Sequence, residues 1–150
     1  MIRFFTPLKM LLLIGLAASV AAGFVLTARQ WARIGELVLE KGKPVLKPES
    51  LEQAWRGSVA NRTFSLGWWN NRAAASGREF DFEEALTPKW SRQDWHDACL
   101  CRDAPRDLIA CIGSGYQRLY VIPSLHLVVV RQGKGGRFSD ARFLRLLLGK

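Results

Sequence analysis

The chain has 150 residues, 49% of them hydrophobic, and a formal net charge of +9. That length suffices for about one domain. The positive charge raises the question of nucleic acid, yet Arg and Lys are spread along the chain and the aromatics sit in apolar runs rather than between basic residues. No recognised nucleic-acid motif results, and nucleic acid is excluded as the expected partner.

Residues 10–28 carry no charge, and Arg3 and Lys9 precede them. The run reads as a secretory signal with a cut near Ala21 or Ala22, or as a helix just long enough to span a membrane. Either reading places the protein at a bacterial cell membrane or in an exported, periplasmic location. If the run instead packs in a core, the location is cytoplasmic. The chain is accordingly divided into a hydrophobic signal or anchor segment, 1–28, and a folded part, 29–150.

Thr27 is an N-cap, and Ala28, Trp31, Ala32, Gly35, Val38 and Leu39 recur at helical spacing until Gly42 and Pro44 end the helix. A second helix is predicted from Pro48 to Gly57. Residues 64–69, Phe-Ser-Leu-Gly-Trp-Trp, read as a strand turned by Asn70 and Asn71. Residues 72–106 mix charge, Pro88, Pro105, Trp90 and Trp95, which predicts an irregular excursion with a helical turn over 91–98.

The block 107–133 is the most informative. The runs 117–122 and 125–130 are rich in β-branched and aromatic residues and meet at Pro123-Ser124, a hairpin signature. The second run is almost unbroken in its apolarity, so both its faces should be covered. Gly133-Lys134-Gly135-Gly136 reads as a loop rather than a phosphate cradle, since it lacks the G-x-x-x-x-G-K-[ST] pattern. Ser139 caps a closing helix whose Phe143, Leu144, Leu147 and Leu148 should pack on the sheet.

His96, Cys99, Cys101 and Cys111 supply four potential zinc ligands, but C-x-C is unlike the usual C-x₂₋₄-C knuckle. Reduced, partly buried cysteines are expected instead, with no metal and no cofactor. His126 reads as a residue of the sheet rather than a base.

Several of these segments resemble one known family. Residues 107–110, Asp-Leu-Ile-Ala, the run Gly113-Ser114-Gly115-Tyr116-Gln117-Arg118, Val121-Ile122-Pro123-Ser124 and Leu127-Val128-Val129-Val130-Arg131 are similar to the C-terminal end of the serine β-lactamase and penicillin-binding-protein-like family, in its class C branch. Upstream, Thr27-Ala28-Arg29-Gln30-Trp31-Ala32-Arg33-Ile34-Gly35 resembles the family's T-A-R-D-x-A-R-F-G helix. Pro48-Glu49-Ser50-Leu51 and Gly67-Trp68-Trp69-Asn70 match further landmarks in the family's order. The likeness runs over 23–149 and corresponds to the last third of a family member.

The resemblance implies an α/β (α+β) fold, with an antiparallel sheet flanked by helices as a partial β-lactamase/transpeptidase-like fold behind an N-terminal hydrophobic helix. It also implies acyl-transfer chemistry that these residues do not complete. The family's nucleophile is a serine one helical turn before a lysine, S-x-x-K, and no serine here has a lysine three residues later. Y-x-N is missing as well, and Ser114 stands about where the family carries a basic residue or histidine. No catalytic residue is therefore assigned.

The expectation is a truncated serine-hydrolase relative, inactive alone. A leftover substrate wall is expected at Gly113, Ser114, Gly115 and Gln117 with Trp68 and Trp69. Its partners would be a small acyl, peptide or cell-wall ligand, a complementary chain carrying the nucleophile, and a membrane contacted through residues 10–28. Two alternatives stand beside it: an exported or membrane-anchored binding module, and one half of a split hydrolase.

Overall fold

A computed structural model describes residues 26–81, 94–133 and 138–150. In chain order these form α1 (Ala28–Leu39), α2 (Pro48–Ala54), β1 (Phe64–Ser65), β2 (Trp68–Asn70), β3 (Arg78–Glu79), β4 (Ala98–Cys99), β5 (Ile109–Gly113), β6 (Gln117–Ile122), β7 (Leu127–Arg131) and α3 (Asp140–Leu147). The apolar run at 10–25 and Trp90 lie outside the described residues. Among the described residues no helix is long and apolar enough to cross a membrane.

Five strands pair antiparallel in the order β1-β2-β5-β6-β7. Central registers are Trp69 opposite Ala110, Ala110 opposite Tyr120, and Tyr120 opposite Val129. Because side chains alternate across a strand, each strand feeds two cores. Trp68, Ile109, Cys111, Leu119 and Val121 point to one face, where Trp31 and Val38 of α1 and Leu51 and Ala54 of α2 meet them. Trp69, Ala110, Ile112, Tyr120 and Ile122 point to the other, against Ala141 and Leu144 of α3 and the segment carrying Phe80, Ala98 and Leu100. The result is a mixed α+β fold in three layers, the sheet in the middle.

α1 starts as its sequence demands. The Thr27 side chain accepts from the Gln30 amide while the Gln30 side chain accepts from the Thr27 amide, a reciprocal capping box. Gly35 faces the sheet, and a Cβ there would collide with Val128 and approach Leu119 Cδ1 to 3.2 Å. This glycine is kept by close helix–strand approach, although glycine is otherwise unfavourable inside a helix. α3 is capped by the Ser139 side chain, which accepts from the Arg142 amide. Leu144 is fully buried, whereas Leu147, expected to pack, is 40% exposed.

Other expectations shift by local chemistry. The strand predicted over 64–69 is two short strands, β1 and β2, because Leu66 (φ 47°) and Gly67 (φ 87°) form a two-residue turn with both residues left-handed. α2 stops at Ala54, short of Gly57. The hairpin between β6 and β7 is longer than Pro123-Ser124. Pro123–Leu125 form a 3-10 turn, His126 ends it at φ 50°, and β7 begins only at Leu127. His126 is thus an exposed turn residue and not part of a strand.

The excursion over 72–106 is more ordered than its composition suggests. β3 and β4 pair in parallel, Arg78 beside Ala98 and Glu79 beside Cys99. Its anchor is Asn71, fully buried, whose Nδ2 donates to the carbonyls of Cys101, Ala104 and Pro105 and whose Oδ1 accepts from the amides of Leu100 and Cys101. One side-chain amide thereby bonds five backbone groups, of which the Cys101 and Pro105 carbonyls also accept from the amides of Ala104 and Leu108.

Candidate functional site

The wall expected from the sequence lies where β5 turns into β6. Gly115 (φ 69°) and Tyr116 (φ 64°) are both left-handed, which lets two adjacent strands reverse in three residues. Gln117 closes the turn, its Nε2 donating to Gly115 O at 3.1 Å and to Gly133 O at 2.9 Å. Arg131 Nη1 donates to Tyr116 O, and the same guanidinium lies 4.1 Å from the Phe138 ring centroid and 5.7 Å from that of Tyr116.

Beneath the turn lies a buried ion pair. Arg118 and Asp140 are both 0% exposed, bound in bidentate fashion with Nε to Oδ1 at 2.7 Å and Nη2 to Oδ2 at 3.1 Å. Arg118 Nη1 also donates to Gly113 O and Gln117 O, and the Tyr120 hydroxyl donates to Asp140 Oδ1. Burial, together with the neighbouring Asp140 charge, pushes the Tyr120 phenol far above its ordinary range. The Asp140 amide in turn donates to Asp81, whose carboxyl is raised above 3.8, chiefly by burial. Sheet, turn and α3 are locked together through this cluster.

Little reactive chemistry is left at the surface of the turn. Ser114 is exposed, and no hydrogen bond to its side chain occurs among the described residues. Among the described residues, Arg118 and Arg131 beside the turn are spent on carbonyls, a carboxylate and aromatic rings. Trp68 and Trp69 do not extend the wall. They are 2% and 7% exposed and lie on opposite faces of the sheet, Trp68 against Trp55 and Trp69 among Phe64, Phe80 and Trp95. The structure therefore brings Gly113, Ser114, Gly115 and Gln117 together and leaves both tryptophans in the cores.

A serine paired with a carboxylate is found at the opposite end of the sheet. Ser124 Oγ donates to Asp107 Oδ1 at 2.9 Å and Ser124 N to Asp107 Oδ2 at 2.6 Å, so this carboxylate caps the 3-10 turn. An acceptor that also holds the residue's own amide is a cap, and it lacks the imidazole or amine that would relay a proton.

Nor do the four potential zinc ligands converge. Cys99, Cys101 and Cys111 are all free and buried, with Cys101 and Cys111 on opposite faces of the sheet. Burial lifts the Cys99 thiol to about 11 and Cys111 well above its ordinary range. Glu79, Cys101 and Asp103 do gather with ligand atoms within 4.8 Å of one another. Arg145 already occupies that cluster, pairing with Glu79 and with Asp103 at 2.6 Å.

Sequence reasoning missed Arg118, Asp140, Asn70 and Asn71. Arg118 did carry a signal: it shares the parity of Tyr120 and Ile122 in β6 and so had to point into a core. No family model, curated protein or solved structure matches this chain.

Proposed function

We propose that these residues are the sheet-bearing part of a serine hydrolase related to the β-lactamases and penicillin-binding proteins, and that they are catalytically silent by themselves. The observation that carries the reading is the end of β5. The family's third motif would fall there, and the chain presents Gly113-Ser114-Gly115 on a braced turn with no unspent base or cation at its surface among the described residues. The motif order along the sequence and the antiparallel sheet between helices support the same reading. The missing S-x-x-K supports silence, because without a paired amine no serine hydroxyl here is activated.

The test is covalent labelling of the purified full chain with a fluorescent penicillin and a fluorophosphonate. No adduct is expected at neutral pH. A stoichiometric adduct on any serine would overturn the silent reading. Labelling that appears only after a second chain carrying S-x-x-K is added would place the nucleophile on that partner.

A further inference from the structure

Two cavities adjoin at the end of the sheet remote from the Ser114 turn. The larger, about 770 Å³, is floored by Val38, Leu39, Leu51, Trp55 and Ile109. The smaller, about 450 Å³, is ringed by Arg56, Arg62, Arg72 and His96. Asn70 and Arg72 line both, so the two spaces share this wall.

Their charge is lopsided. Lys41, Lys43 and Arg106 also line the larger cavity, which with the three arginines makes six cations, against three carboxylates, Glu52, Asp97 and Asp107. Asp107 is committed to Ser124. Among the described residues none of the six cations forms an ion pair. Concentrated, unpaired positive charge at a concave wall creates a potential that an anion relieves. Guanidinium groups in particular match the oxygens of a phosphate.

The walls are held in place from within. Asn70 is 2% exposed; its Nδ2 donates to Trp55 O at 3.0 Å and Arg62 O at 2.8 Å, while its Oδ1 accepts from Arg72 N at 3.2 Å. A single buried amide thus ties the aromatic of the apolar floor and two of the arginines to β2. Next to it Thr63, also 2% exposed, donates to Trp95 O and Ala98 O. A site whose backbone is fixed before binding loses little entropy on binding.

We propose that the paired cavities bind a phosphate monoester carried on an apolar chain. The phosphate lies against Arg56, Arg62 and Arg72, and the chain runs over Leu51 and Trp55. Volume and lining suit such a ligand, with an apolar pocket of small-molecule size beside a few convergent polar groups. This inference does not rest on the family reading and survives its failure.

The test titrates the full chain with octyl phosphate below its micelle threshold, and with inorganic phosphate and octyl glucoside as the two halves of the ligand. Calorimetry gives affinity and amide chemical shifts give the place. Octyl phosphate is expected to bind at least about tenfold more tightly than either half, with shifts at Leu51, Trp55 and Arg72. The paired substitution Arg62→Glu with Arg72→Glu, both at exposed positions, should weaken binding by about tenfold or more while the circular-dichroism melt stays in place. Equal binding of octyl glucoside, equal binding of inorganic phosphate, indifference to the paired substitution, or shifts confined to the Ser114 turn would each overturn the proposal. Flotation with vesicles containing phosphatidic acid identifies the source. Capture that needs Arg62 and Arg72, alongside octyl phosphate binding, indicates a lipid headgroup. Octyl phosphate binding without capture indicates a free ligand, and capture without it overturns the site.

Discussion

The two ends of the sheet differ in how their polar groups are used. At the turn between β5 and β6, Arg118, Arg131, Asp140 and Gln117 are all engaged with neighbours, and the turn's carbonyls accept from them. At the far end six cations surround open space without an ion pair among the described residues. Saturated hydrogen bonding marks scaffold, and unspent charge beside a cavity marks where a ligand gains energy. The resemblance directs attention to the first end; the electrostatics direct it to the second.

The sharpest way to break this contrast is at the buried ion pair. Arg118→Met should destabilise the fold by about 3–5 kcal/mol in a denaturant melt, because it strands the Asp140 carboxylate without its partner. Adding Asp140→Leu should restore part of that loss. A double variant as weak as the sum of the two singles would deny the coupling.

Next comes the asparagine pair at the other end. Asn71→Ala removes the side-chain bonds to five backbone groups and should cost about 3 kcal/mol by the same measurement. An effect below about 1 kcal/mol would mean that water replaces the amide without penalty.

The smallest effect concerns Asp81. Its folded-state carboxyl titrates above 3.8, so the folded chain holds this proton more tightly than the unfolded chain does. Stability from this group is therefore fully present below 3.8 and is lost as pH rises through the folded value. Asp81→Asn keeps an acceptor for the Asp140 amide and removes the half-buried charge. The variant should be slightly more stable than the parent at neutral pH, the gap closing as pH falls towards 3.8. A gap that does not change with pH would assign the effect to packing.

Much of the scaffold was legible in the sequence. Thr27 and Ser139 as caps, each ahead of apolar residues at helical spacing, announced both long helices, and the Val-rich runs announced β6 and β7. These signals are local, since capping and periodicity involve residues three or four apart. What escaped is long-range. Asn70 and Asn71 read as turn formers because adjacent polar amides usually are, and only the approach of Trp55 and Arg62 to the first and the return of 98–105 alongside the second turn them into buried hubs. Arg118 finds Asp140 across 22 positions, a separation no window of sequence reveals. The site was legible only in part: the Ser114 turn could be located by likeness, whereas the cavities are assembled from α1, α2, β2 and the segments around Arg62 and Arg106.

The three cysteines carry a practical consequence. All are at most 1% exposed, with thiols held in their protonated form by burial, so the native chain is nearly mute towards alkylating reagents. A single thiol introduced at an exposed rim position such as Lys43 would then report alone. Its alkylation rate becomes a clean gauge of whether the neighbouring cavity is open or filled, with no need to strip the natural cysteines first.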